Sequence, residues 1–173
     1  MTGPSGPGAV DGAGPLEEIT DRSRHPMVVA TVMSVDGEAA GCLVGFHTRC
    51  SIDPPRYMVC LSSENRTFEV ASEAPAMAVH HLDAEDGAIA RRFGEDTGDE
   101  VDKFAGIGWS TGPHGVPVLD GVASWWVGRI VERIHLGDHT GFVLEPVAGR
   151  VGPDRAPFTS DRAADFEPGH PRD

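Results

Sequence analysis

Asp36-Gly37 constrains this chain more than any other pair of residues. It lies within MVVATVMSVDGEAAGCLVGF, between two stretches suited to strands. An Asp-Gly pair in that setting is a strong short-range signal for a β-hairpin. Val28, Val29, Val32 and Val35 carry the strand preference of the first arm. A further apolar run, YMVCLS at 57–62, is bounded by Pro54-Pro55 before it and SENRT after it. Pro55 has no backbone donor and restricts Pro54, so strand pairing cannot run smoothly through that point. AMAVHHL reads as another strand, and two long strands are expected at 123–134 and 140–147, joined at Leu136-Gly137-Asp138.

Helical signals are short. RTFEVASEA suits a helix with Phe68 and residues 71–74 toward a core, Glu69 and Glu73 in water, and Pro75 as its stop. Asp83 is a good N-cap for AEDGAIARRFG, with Asp86 three residues on, Ile89, Ala90 and Phe93 as the apolar stripe, and Gly94 as the C-cap. Several strands with a few short helices predict a mainly β fold, a β-barrel or a compact α+β domain. Residues 1–24 and 150–173 are poor in large apolar groups and are expected as flexible tails around a domain at 25–149.

The net charge of −13 and the lack of a basic run argue against nucleic acid and anionic membrane surfaces as partners. No window approaches the roughly 20 apolar residues of a membrane helix. The N-terminus lacks the basic start and apolar stretch of a signal peptide. Cys42, Cys50 and Cys60 are odd in number and lack a CxxC spacing, which suggests neither a disulfide framework nor a zinc site. A soluble cytoplasmic protein is the expectation.

CLVGFHTRCSIDPP at 42–55 is chemically mixed. If it leaves a strand for a loop, Gly45 has no Cβ to block a flat ring, and the amides of Phe46, His47 and Thr48 become free donors. Thr48 and Ser51 add hydroxyls. SSENRT offers Ser62, Ser63, Asn65, Arg66 and Thr67, with Arg66 at a helix start that favours anions, so a phosphate there is physically sensible. The plainer alternative makes Asn65 a helix cap and Arg66 a surface charge.

The ordered pieces SIDPP, NRT, DKFAG with the following W and G-x-PVL, and GDHT resemble the flavin reductase family with its FMN-binding split β-barrel. The resemblance runs over about residues 27–147. It implies a homodimer with flavin, FMN or FAD, near the subunit interface, and NADH or NADPH as co-substrate. By resemblance the isoalloxazine lies against the backbone at Gly41, Cys42 and Leu43 and at Gly45, Phe46, His47 and Thr48. Ribityl chain and phosphate lie toward Leu61, Ser62, Arg66 and Thr67. Gly137-Asp138-His139 lies beside the flavin, which makes His139 the residue expected to orient nicotinamide. The chain departs from the family pattern at VGFHTRCS, where members commonly carry a Ser-rich run: His47 stands for the usual Phe and Arg49 for a small residue. A deazaflavin is therefore a further alternative.

The implied activity is hydride transfer from NAD(P)H to flavin, with a flavin-dependent monooxygenase as possible recipient. Alternatives of other kinds are a flavin carrier without turnover and a flavin-free module binding another anion. A metal held by His135, Asp138 and His139 is disfavoured, because Gly137 and the flanking Val and Ile favour strand and turn. His80 and His81, adjacent on a strand, point to opposite faces. The cysteines read as small core or near-core residues. Trp125 and Trp126 are expected one inward and one outward.

Overall fold

The structure is a computed structural model and describes residues 13–98 and 100–167. The Asp36-Gly37 hairpin is present. Strands β1 (Val28–Met33) and β2 (Ala39–Val44) pair antiparallel from Val28 with Val44 to Met33 with Ala39. Gly37 supplies the turn's left-handed backbone at φ 85°. There follow β3 (His47–Ser51), β4 (Arg56–Ser62), helix α2 (Arg66–Glu73), β5 (Ala76–His81) and α3 (Gly87–Glu95). Two short strands, β6 (Trp109–Thr111) and β7 (Pro117–Leu119), form a separate ribbon. The long strands β8 (Ser124–His135) and β9 (His139–Arg150) close the order, and α1 (Ala13–Asp21) precedes β1 without a buried residue.

Seven strands form one sheet in the order β2-β1-β5-β8-β9-β4-β3. Strands β2 and β3 stand at opposite ends of that order, yet only Gly45 and Phe46 separate them in the chain. The sheet must therefore curl until its edges approach. Cys60 N–H donates to the Phe46 carbonyl at 2.9 Å, which extends the β3–β4 ladder into the link, and Cys42 and Val44 of β2 share one buried cluster with Val59 and Leu61 of β4. This curled, mainly β sheet with a few short helices is the split-barrel fold.

Strand β1 reads as a continuous apolar run because both of its faces are covered. Val28, Ala30 and Val32 look into the curl, with Val59, Leu61, Phe142 and Leu144. Val29 looks outward, to Phe93 of α3, Phe104, Leu119 and Phe158. Helix α2 covers the end of the curl with Val70 and Ala71. Arg133 of β8 donates to the Ala71 and Ala74 carbonyls at 3.1 and 2.8 Å, a cation at the helix C-terminus where its dipole favours one.

Some local expectations shift. Helix α3 starts at Gly87 with Asp86, not Asp83, at its N-cap; the Asp86 carboxylate instead accepts from Asp83 N–H at 2.7 Å. Gly94 lies inside α3, and Asp96 is the C-cap. A Cβ at Gly94 would stand 3.0 Å from Leu43 Cδ2 and 3.2 Å from Phe166 Cδ2, tighter than ordinary contact, so those side chains would have to give way. Strand β3 takes up residues read as a loop. Both Trp125 and Trp126 are half-buried, against different clusters. Phe158, Ala163 and Phe166, assigned to a tail by the sequence reading, pack into the second cluster. Phe158 is 3% exposed, its N–H donates to Leu82 O at 2.8 Å, and Phe166 lies under the Arg91 guanidinium at 4.5 Å. Of the expected tails at 1–24 and 150–173, residues 1–12 and 168–173 lie outside the described residues.

Candidate active site

Asn65 ends the β4–α2 turn and caps α2, its Oδ1 accepting from Thr67 N–H at 3.0 Å. Its own N–H donates to Ser62 O at 3.1 Å, which holds the turn tight. The turn thereby joins two groups of candidate residues.

On one side is a cavity of about 480 Å³, lined by Gly41, Arg66 and Thr67 together with Glu38, Phe104 and Trp109. Gly41 and the adjacent pair Arg66-Thr67, distant from it in sequence, thus converge on one space. Gly41 is a packing requirement as well: a Cβ there would stand 2.8 Å from Phe93 Cε1 and 3.0 Å from Ala30 O. Arg66 is the first residue of α2, where a cation opposes the helix dipole. Two carboxylates offset this. Glu38 accepts from Arg66 Nε at 3.1 Å and Nη2 at 2.8 Å, and Glu69 accepts from Nη1. These bonds raise the Arg66 pKa above its ordinary value. Lys103 also lines the cavity; it is 6% exposed, and its Nζ donates to Phe93 O at 3.1 Å. The rings of Phe104 and Trp109 meet edge to face at 6.0 Å.

On the other side the ends of β4 and β9 meet. Ser62 pairs with His139, and Ser63 N–H donates to Asp138 O at 2.9 Å. His139 Nδ1 lies 2.8 Å from Asp138 Oδ1, a contact that holds the Asp138 carboxyl below its usual range. With Nδ1–H donated there, Nε2 is the nitrogen left for a ligand. The exposed Phe46 ring sits 5.3 Å from His139. At Gly45 a Cβ would meet only Met27 Cε, at 3.6 Å, so packing within the chain does not demand glycine there.

The remaining candidates divide between core and surface. Cys42 and Leu61 are buried in the first cluster, and burial pushes the Cys42 thiol up. Leu43 packs with the second cluster. Thr48 is exposed, its hydroxyl donating to Arg49 O at 3.2 Å, and Ser51 is half-buried. The His47 ring is committed elsewhere. Its Nε2–H donates to Pro26 O at 2.8 Å, so Nδ1 accepts from the Tyr57 hydroxyl at 2.5 Å. Burial lowers its pKa, disfavouring the charged ring. Arg49 is exposed on β3. Among the described residues no His, Cys, Asp and Glu group is arranged to hold a metal ion.

Sequence reasoning missed Glu38, Lys103, Phe104 and Trp109. DKFAG and the following Trp mark three of them as motif residues, without a role; Glu38 has no local signal beyond following the hairpin turn.

A guanidinium at a helix start, in a cavity with aromatic rings, suits a phosphorylated aromatic cofactor; Thr67 lines the same space but is 1% exposed. Comparisons with known proteins agree. The chain is 28% identical over 130 residues to an FMN reductase (NADH) RutF of Klebsiella pneumoniae, covering 70% of this chain and 79% of that one. It is 29% identical over 124 residues to the 4-hydroxyphenylacetate 3-monooxygenase reductase component of Pseudomonas aeruginosa, covering 70% and 73%. It spans only 35% and 51% of the length of two longer curated relatives from Rhizobium meliloti. The crystal structure of a flavin reductase domain protein from Arthrobacter sp. FB24 superposes with a TM-score of 0.77 at 25% identity, over 92% of this chain and 97% of that one. Residues 20–164 match the family described as flavin reductase like domain, and the chain belongs to that family.

Proposed function

We propose that this chain is an NAD(P)H-dependent flavin reductase. The observation that carries the reading is the convergence of Gly41, Arg66 and Thr67 on one cavity with Phe104 and Trp109, in a chain of this family. Bound flavin supplies the hydride chemistry; the protein supplies position and charge. Arg66, Thr67 and the start of α2 hold the phosphate end. The open backbone around Gly45 and Phe46 receives the ring. His139, fixed by Asp138, orients nicotinamide against the exposed flavin face. Phe46 at 66% and Leu136 at 51% exposure are large apolar side chains near this strand end. A second copy of the chain covering them makes the working unit a homodimer.

The name of the Pseudomonas relative supports a flavin-dependent monooxygenase as recipient of the reduced flavin. A cytoplasmic setting suits both a consumer of NAD(P)H and three free cysteines. FMN is the first choice of flavin, since the Klebsiella relative is named for it. Steady-state oxidation of NADH or NADPH should depend on added FMN and saturate with it. Rates equal to those of nucleotide and flavin without protein would contradict the proposal.

A further inference from the structure

We propose that Glu38 competes with flavin phosphate for Arg66, and so keeps flavin an exchangeable substrate. This rests on the flavin reading above.

Glu38 is held in place by backbone bonds. Ser34 N–H donates to Glu38 O at 2.8 Å, and Glu38 N–H donates to Ser34 Oγ at 2.9 Å, just after the Gly37 turn. The end of the turn before β2 thus presents the carboxylate to α2. Its two oxygens take the Nε and Nη2 edge of Arg66 at 3.1 and 2.8 Å. That edge is the planar fork that binds phosphate in bidentate fashion. Glu69 takes Nη1 from within α2. Only Glu38 of these two carboxylates lines the cavity.

A phosphate entering the cavity therefore meets a guanidinium already engaged, and must turn Glu38 out against charge repulsion. Glu100 and Asp102 stand with Glu38 around the space, against Arg66 and Lys103. The Arg66–Glu38 pair is partly exposed, with side-chain exposures of 32% and 49%. Displacement is hence affordable and the penalty moderate.

The test compares FMN with riboflavin, which has the same ring and no phosphate, by quenching of flavin fluorescence on titration with the full chain. In the parent the two flavins should bind within about threefold of each other. E38Q should tighten FMN by about 3–10-fold and leave riboflavin unchanged. The gain should shrink in 0.5 M salt (roughly a 4 Å screening length). E69Q should give a smaller gain. FMN bound by the parent more than about 30-fold tighter than riboflavin would overturn the proposal without any variant. So would E38Q with unchanged FMN affinity, or an equal gain for riboflavin. Each of those results leaves the flavin reading standing, whereas a parent that binds neither flavin removes both.

Discussion

Arg66 is placed where a helix least favours a cation, and two carboxylates hold it there. If its task is the flavin phosphate, R66A, which also leaves the Glu38 and Glu69 carboxylates unneutralised to repel that phosphate, should weaken FMN binding by about fivefold or more and change riboflavin binding little. Equal loss for both flavins would assign Arg66 to packing alone. His139 has a different expected signature. H139A should slow hydride transfer from NADH more than it weakens FMN binding, and stopped-flow rates equal to the parent would remove it from nicotinamide positioning. His80 is fully buried with both ring nitrogens engaged, Nδ1–H donating to Val29 O at 3.0 Å and Nε2 accepting from Leu119 N–H at 3.0 Å. Burial lowers its pKa to about 4, below the ordinary 6.5. The unfolded chain takes up this proton near pH 6.5 and the folded chain only near 4. His80 thus contributes stability in full above pH 6.5, and that contribution, roughly 3 kcal/mol, is lost as pH falls toward 4. The His80 ring signals in NMR should stay constant between pH 7 and 5; titration near 6.5 would contradict this account.

At the scale of elements, β2 carries two duties. One is packing: G41A would drive a Cβ into Phe93 and toward the Ala30 carbonyl. It should destabilise the fold by about 1–3 kcal/mol in urea unfolding. An unchanged midpoint would show that α3 shifts freely. The other duty is to carry Gly41, with Glu38 just before the strand's first residue, to the cavity. Local signals made the hairpin, the Asn65 cap and the Pro75 stop legible in the sequence, because each is decided within a few residues. Strand β3 was not legible. His47, Thr48 and Arg49 are polar and mostly exposed at a sheet edge, and a lone edge strand has no burial pattern to read. Asp86 takes the N-cap position of α3 without a side-chain cap bond, whereas spacing alone favours Asp83. Glu38 and Arg66, 28 residues apart, meet only because the β1–β2 hairpin folds beside α2.

The whole molecule follows from a connection of two residues between the outer strands of its sheet. That link brings Cys42 and Val44 of β2 into one cluster with Val59 and Leu61 of β4 and, with the β4–α2 turn, sets the His139 end and the Arg66 cavity in a single neighbourhood. The C-terminal stretch belongs to this body through Phe158, whose one large ring was underweighted among polar neighbours in the sequence. F158A should cost about 3–5 kcal/mol; a shift under about 1 kcal/mol would mean that the segment packs loosely. Motif order made the family legible, and the split barrel with it. The site's charge balance was not legible, since it depends on contacts between distant segments. The most direct test of the central claim is a visible spectrum of the protein with FMN, followed by NADH and then NADPH without oxygen. The account predicts a perturbed flavin band on binding and its bleaching by one of the two nucleotides. A band unperturbed by the protein, or bound flavin that neither nucleotide bleaches, would contradict it.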